Sequence, residues 1–364
     1  MACSKYKQIL AELKKSILES RFDAAHPFPS EAALARAKGV TRNTVHRAYI
    51  ELRRQGLVEG APGVPPRVAR HAASRKVGLI VPGVAYSEFF QPIVSEISRL
   101  AQKHGYALLF GNVTSRDPVR RAAQAKRFAR ELVGQGVSGV VFQPLEFIDN
   151  AAEPNAEVLS VFDAARVPVV LIDYDIVPPP ERSAYDLVGI NNFQAGSRVA
   201  GHLLSVGATR IDFVMRPNCA WSVHARRDGV QAAAGRAARA SSRVLVAEPD
   251  DLAALRRHLK GGRPDAFVCG NDTVAAKFKQ TLAKAGLRVP DDVLLAGFDD
   301  VQIAALLTPP LTTVRQPCAA IGARAFATLV RRIARPNAEP QEICLSAPLV
   351  VRESTKREKH GRTR

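Results

Sequence analysis

Thr41, Arg42, Asn43 and Thr44 stand together where a short turn gives way to a patterned helix. Backbone amides at a helix N-terminus, short hydroxyl and amide side chains and one long guanidinium are the groups that meet phosphates and reach base edges in a major groove. Arg42 is the candidate for base-edge contact, because guanidinium matches guanine O6 and N7.

The elements that carry these groups read clearly. Tyr6, Ile9, Leu10, Leu13, Ile17 and Leu18 recur at helical spacing, with Lys7, Lys14 and Lys15 off that face. After a loop ending at Pro29, Ser30 and Glu31 open a second helix in the manner of an N-cap, and Gly39 ends it. The third helix starts at Thr41, buries Val45, Ala48, Tyr49 and Leu52, and stops at Gly56. Leu57–Glu59 and the stretch from Ala61 then read as a wing, so residues 1–69 predict a winged helix-turn-helix.

Charge agrees with a polyanionic partner. The chain of 364 residues carries a formal net charge of +18. Residues 1–75 contribute +8 and residues 352–364 contribute +4, leaving +6 for the 276 between them. Five scattered cysteines without a CxxC pair or a metal-ligand spacing are expected to be reduced thiols, and no metal or cofactor is expected. With no apolar leader at the start and no long apolar run, a cytoplasmic protein that does not enter the membrane is expected. No nucleophile elbow, P-loop or HExxH motif is present, so an enzyme is not expected.

Beyond a short linker, 70–75, the pattern changes to apolar strands alternating with amphipathic helices. One series runs Val77–Val81, Tyr106–Phe110, Val137–Phe142 and Val167–Ile172. A second runs Leu187–Ile190, Ile211–Met215, Val244–Val246, Ala266–Cys269 and Val293–Phe298. Such alternation predicts α/β architecture, with two lobes of parallel sheet covered on both faces and a ligand cleft at the carboxyl ends of the strands. Asn112 and Gln143 end strands of the first lobe and are candidate polar groups of that cleft. Of Phe89 and Phe90, one is expected to line the cleft and the other to join the core. Trp221, the one tryptophan, either stacks on a ligand or packs a lobe.

Two resemblances refine this reading. Tyr6-Lys-Gln-Ile9, Pro29-Ser-Glu31, Leu34-Ala35, Gly39-Val-Thr-Arg42, Thr44-Val45, Leu52 and Gly56-Leu-Val58 resemble, in order and spacing, the winged-helix domain of GntR-family regulators. The likeness implies operator contacts by Ser30, Thr41, Arg42, Asn43, Thr44 and His46, and wing contacts by Gly63 and Arg67. Ala32 and His46 stand where that family usually has Arg, and the wing reads Gly63-Val-Pro-Pro-Arg-Val68, with two prolines that remove N–H donors.

Residues 76–354 resemble the sugar-sensing domain of LacI/GalR repressors, itself similar to periplasmic sugar-binding proteins of type I. The likeness rests on Val77-Gly-Leu-Ile-Val-Pro82, Val167-Pro-Val-Val-Leu-Ile-Asp173, Val188-Gly-Ile-Asn-Asn192, Arg226-Arg-Asp-Gly229, Asn271-Asp272, Gly297-Phe-Asp-Asp300 and Pro310-Leu-Thr-Thr-Val-Arg-Gln316. It implies that Arg226, Asp299, Asp173 and Asn271 hold ligand hydroxyls, with Phe90, Asn112, Gln143 and Trp221 beside them, while Asp272 and Asp300 are expected to cap helices or brace loops. It further implies chain crossings between lobes near 174–188, 312–316 and 336–342. Beyond it, the charge of residues 355–364 reads as a basic tail, expected to be disordered.

The combination is similar to arabinose-repressor-like regulators. It implies a homodimeric repressor on double-stranded operator DNA, released by a small sugar. The alternative is a corepressor-dependent or activating regulator sensing another metabolite in the same cleft.

Overall fold

The computed structural model describes residues 5–18, 21–22, 26–55, 57–60, 66–69, 76–81, 83, 87–111, 113–115 and 117–356. Gly56, the wing tip with Gly63, the linker 70–75, Asn112 and the tail from 357 lie outside the described residues.

The head has three helices, α1 (Lys5–Leu18), α2 (Glu31–Lys38) and α3 (Arg42–Arg54), and one antiparallel pair, β1 (Val58–Glu59) and β2 (Arg67–Val68). Ile9, Leu13, Ile17, Leu34, Val45, Ala48, Tyr49 and Leu52 form its core with Phe28 and Leu57. Gly39 ends α2 at φ +60, and its N–H bonds back to the carbonyls of Ala35 and Arg36. That left-handed cap favours glycine, and it sets the short turn into α3. Tyr49 fixes the turn from inside, its hydroxyl donating to the Pro29 carbonyl at 2.7 Å.

The body holds two six-stranded sheets. The first contains β3 (Lys76–Ile80), β4 (Ala107–Gly111), β5 (Gly139–Phe142), β6 (Val169–Ile172), β7 (Asp186–Ile190) and β13 (Glu342–Leu345). Their spatial order is β4-β3-β5-β6-β7-β13, all parallel. The second contains β8 (Ile211–Met215), β9 (Val244–Val246), β10 (Ala266–Cys269), β11 (Leu294–Asp299), β12 (Thr312–Arg315) and β14 (Leu349–Val350). It runs β9-β8-β10-β11-β12-β14, with only β14 antiparallel.

Helices α4 (Phe90–Lys103) and α12 (Cys318–Ala334) pack together beside the first sheet, and α5 (Pro118–Gly134) pairs with α6 (Ala152–Ala164). In the second lobe α7 (Asn192–Ser205) lies tightly on α8 (Trp221–Arg236), while α9 (Leu252–Lys260) and α10 (Asp272–Lys284) pack together, with the short α11 (Gln302–Leu306) against α10. No helix among the described residues is long and apolar enough to cross a membrane.

The sheet order corrects the expected crossings. Leu187–Ile190 belongs to the first sheet rather than the second series, so the chain first crosses at Ile190–Asn192, not within 174–188. It recrosses at Gln316 and Pro317, at the end of the expected stretch, and last between Leu345 and Leu349 rather than within 336–342. The reason is non-local. Asp186 at the start of β7 is buried and takes Arg332 Nε at 2.7 Å and Arg331 Nη2 at 2.8 Å, both from α12, which ties β7 to the first lobe.

Candidate functional site

At the head, the start of α3 is exposed. Thr41 caps the helix, accepting the Thr44 N–H at 3.4 Å, and the two hydroxyls share a hydrogen bond at 2.9 Å. Ser30 caps α2 in the same way, accepting the Ala33 N–H at 3.2 Å. Both hydroxyls thus serve helix geometry first, and their exposure leaves them facing solvent. The Arg42 side chain is 76% exposed, which leaves its guanidinium free to turn toward a groove. Asn43 is exposed beside it, and Arg67 is exposed on β2 of the wing.

Glu31 is the head residue that sequence reasoning passed over. Its largely buried carboxylate takes His46 Nδ1 at 3.0 Å, lies 3.6 Å from Arg53 and reaches Arg42 at 4.0 Å. His46 is therefore tied through one ring nitrogen to α2, whereas the sequence reading had it simply facing DNA. The usable signal was the acid in the first turn of α2, which could look across to the basic face of α3.

The cleft is built from strand ends. Asp173 follows β6 and Asp299 ends β11, in equivalent positions of the two lobes. Both have left-handed backbones, at φ +73 and +110. Non-glycine residues in such conformations cost about 1–3 kcal/mol each and concentrate at ligand sites. Arg226, on α8, is buried with its guanidinium over the Phe298 ring at 4.8 Å. Its Nε donates to Asn192 at 2.9 Å, Nη1 donates to the Gly270 carbonyl at 2.7 Å, and Asp299 Oδ1 lies 3.5 Å away. Gln316, at the second crossing, donates Nε2 to Asp299 at 2.7 Å. These contacts unite residues of the second lobe with hinge residues on either side.

Among the described residues, two buried polar atoms in this region have no partner: Nε2 of Gln143, at the end of β5, and Oε1 of Gln316. Unsatisfied buried polar atoms each cost about 1–3 kcal/mol, and a ligand can satisfy them. Burial pushes the Asp299 carboxyl up to about 6 against the pull of Arg226, and raises Asp173 likewise. Glu146, in the loop after β5, is pushed up to about 7 by burial and by Asp173.

The remaining sequence candidates are distributed as follows. Asn271 caps α10, accepting the Val274 N–H at 2.9 Å, so its oxygen is already used. Asp272 and Asp300 brace loops: Asp272 takes the Thr313 hydroxyl at 2.7 Å, and Asp300 takes Arg315 and Arg352 at 2.6 Å each. Phe89 and Phe90 are both buried, edge-on at 4.7 Å, and both pack into the core of the body. Trp221 opens α8 with its ring 4.8 Å from His224. With Asp173 and Ser222 it walls a cavity of about 260 Å³ that runs along the first crossing toward Arg182. Gln316, Asn192 and Glu146 were not singled out in the sequence. Gln316 and Asn192 sit inside motifs that were read for fold, and Glu146 gave no local signal.

Comparison with known proteins follows this division. Residues 5–68 match the bacterial regulatory proteins of the gntR family, and residues 200–355 match a periplasmic binding protein-like domain. The arabinose metabolism transcriptional repressor of Geobacillus stearothermophilus is 26% identical over 97% of this chain and 98% of its own length. The ribose operon repressor of Escherichia coli (strain K12) is 28% identical over 81% of this chain and 86% of its own. Among solved structures, the transcription regulator GntR from Chromobacterium violaceum is 26% identical, with a TM-score of 0.60 over 77% of this chain and 99% of that one.

Proposed function

We propose that this chain, in which a gntR-family DNA-binding head is joined to a periplasmic binding protein-like body, is a transcriptional repressor that a sugar releases from its operator. One observation carries the reading. The same chain holds an exposed recognition-helix start and a two-lobed cleft whose buried Arg226 and Asp299 sit beside polar atoms awaiting partners. The full-length likeness to an arabinose repressor supports the union of the two parts.

In this reading two heads of a homodimer hold a pseudo-palindromic site. Lys and Arg supply affinity through phosphates, and Arg42 and Asn43 supply sequence choice. The sugar lies between the lobes, with Arg226, Asp173 and Asp299 on its hydroxyls and Gln143 and Gln316 gaining their missing partners. It moves DNA affinity only by preferring one lobe arrangement, for a coupling of about 1–3 kcal/mol.

The test is a mobility shift on DNA selected by the protein from a random library, titrated with pentoses and hexoses. Release by a sugar at fixed protein concentration supports induction. Tighter binding with the small molecule would replace induction by corepression, and indifference to every sugar would overturn the reading.

A further inference from the structure

The excess cations of the body gather at one edge. Strands β8, β9, β10 and β11 are parallel, so the helix ends and loops that lead into them share one edge of the second lobe. These segments, 206–210, 236–243, 256–265 and 284–293, hold ten Arg and Lys against three Asp, a net of +7. Residues 76–351 as a whole carry +6, so the rest of the body is close to neutral.

The segments form one surface. The Ser241 N–H donates to the Thr209 carbonyl at 2.9 Å, and the Asp265 N–H to the Arg210 carbonyl at 2.9 Å. Arg243 Nη2 donates to buried Asp212 and to the Gly262 carbonyl, each at 3.1 Å, and Arg210 donates to the Gly261 carbonyl at 2.9 Å. Arg210 and Arg243 thus hold the platform together, and Arg288 pairs with Asp291 and Asp292. Arg236, Arg239, Arg257, Lys260 and Arg263 stand exposed on it, and none of them forms an ion pair among the described residues.

This edge faces away from the head. The strands of both sheets end at the cleft, at Gln143 and Asp173 in one lobe and at Gly270 and Asp299 in the other, so their amino ends point apart. The chain enters the first sheet at an amino end, Lys76, and Asn337, just ahead of β13, donates to the Arg54 carbonyl of α3 at 3.4 Å. Strands of about five residues in each sheet separate the two amino ends by roughly 30 Å or more. Salt screens exposed charges beyond about 8 Å, so these cations add little to a duplex held by the head.

The chemistry of the edge fits a duplex better than a protein. Its four segments expose one large hydrophobic side chain, Val206, whereas protein interfaces are anchored by aromatic and other apolar groups. Cations spread over separate loops suit phosphates, which recur along a duplex and require no sequence register. Lys356 stands at the same edge, because Ser354 and Thr355 bond Thr312 at the start of β12. Residues 357–364 carry four more cations against one Glu.

We propose that this edge is a second DNA-binding surface, holding the phosphates of another double-stranded segment without sequence preference while the heads hold the operator. The inference rests on the DNA-binding reading of the head and goes beyond it, since one repressor then bridges two stretches of DNA.

The test uses the full chain, the operator selected from a random library, and a short labelled duplex that lacks the operator. Operator is fixed to beads in excess over protein, and captured duplex is read as salt is raised. Capture that falls steeply with salt is expected. The combined variant Arg236→Gln, Arg239→Gln, Arg257→Gln, Lys260→Gln and Arg263→Gln should capture at least about tenfold less, with a shallower salt slope. Its operator affinity and sugar response should stay unchanged. The charge-preserving set Arg236→Lys, Arg239→Lys, Arg257→Lys and Arg263→Lys should retain capture. Equal capture by the Gln variant overturns the proposal, because the second duplex is then held elsewhere. An operator complex that captures no duplex at low salt also overturns it and leaves the reading of the head intact. Polyglutamate that displaces the duplex at a lower concentration of charge than unlabelled duplex does would replace DNA by an acidic protein. Failure of the library to yield any bound DNA overturns the reading of the head, and the inference with it.

Discussion

Gly196 on α7 meets the backbone of Arg226 on α8 so closely that a Cβ there would come within 2.0 Å of the Arg226 carbonyl oxygen. The relationship is reciprocal, since a Cβ on Gly229 would lie 2.0 Å from the Phe193 carbonyl oxygen. Two glycines thus let the helices touch backbone to backbone, and this contact sets the depth at which Arg226 enters the cleft. In an open helix Gly→Ala stabilises by roughly 0.5–1 kcal/mol. Here overpacking dominates, and Gly196→Ala should lose about 1–3 kcal/mol. It should also weaken sugar binding by displacing α8, with operator binding retained. Thermal unfolding and calorimetry on the same preparation check both, and a raised melting temperature would show that the crossing is looser than described.

How much of this was legible in the sequence depends on the range of the interactions. Ser30, Gly39 and Thr41 announce the head because caps and turns are written within a few residues. The strands are legible because their apolar runs are bounded by local breakers. The sheet to which Leu187–Ile190 belongs was not, since a buried parallel strand has the same pattern in either lobe and the deciding contact comes from Arg331 and Arg332, over 140 residues away. Asp173 and Asp299 were legible through the likeness of their motifs to a known sensing domain, with Asp173 also standing at a strand end. Their left-handed backbones, the Glu31 contacts across the head and the bond from the Ala220 N–H to Glu146 across the lobes have no local signature.

Asp186 gives a direct measure of that long-range tie. Its carboxylate is fully buried and serves Arg331, Arg332 and the Gln341 N–H at 2.8 Å. Asp186→Ala leaves a buried guanidinium unpaired and should cost about 3–5 kcal/mol in urea unfolding. A loss below 1 kcal/mol, on that scale, would mean that water reaches Arg332 and that β7 is held by its strand neighbours alone.

The cleft carboxyls predict a pH response. Burial raises both Glu146, to about 7, and Asp299, to about 6, above their values in an unfolded chain. The free protein therefore holds protons that the unfolded chain releases. Their contribution to stability is present at low pH and is lost as pH rises from about 4 through 7. Hydroxyl donors favour the ionised carboxylates, so sugar binding should release protons and strengthen with pH over the upper part of that window. Calorimetry in two buffers of different ionisation enthalpy reads the proton release directly. Glu146→Gln should flatten the response between about pH 6 and 8, leaving the Asp299 step. A response identical to that of the parent chain would assign the protons elsewhere.

On the DNA side, Arg42 and Glu31 should separate recognition from mere attraction. Arg42→Ala removes an exposed guanidinium at the start of α3 and should weaken specific operator binding by about 1–3 kcal/mol, with sugar binding unchanged. Glu31→Gln acts differently. It removes a negative charge from the face proposed to meet phosphates and frees His46 and Arg53 from a fixed partner. Non-specific DNA binding should then rise, because the charge at the interface becomes more positive. Specific binding gains less, because α3 loses the contact that orients its basic side chains against α2. Competition mobility shifts at several salt concentrations measure the ratio of the two. A reduced ratio is expected for both variants, through lost specific affinity in Arg42→Ala and through increased non-specific affinity in Glu31→Gln. An unchanged ratio in Glu31→Gln would limit Glu31 to holding the head together.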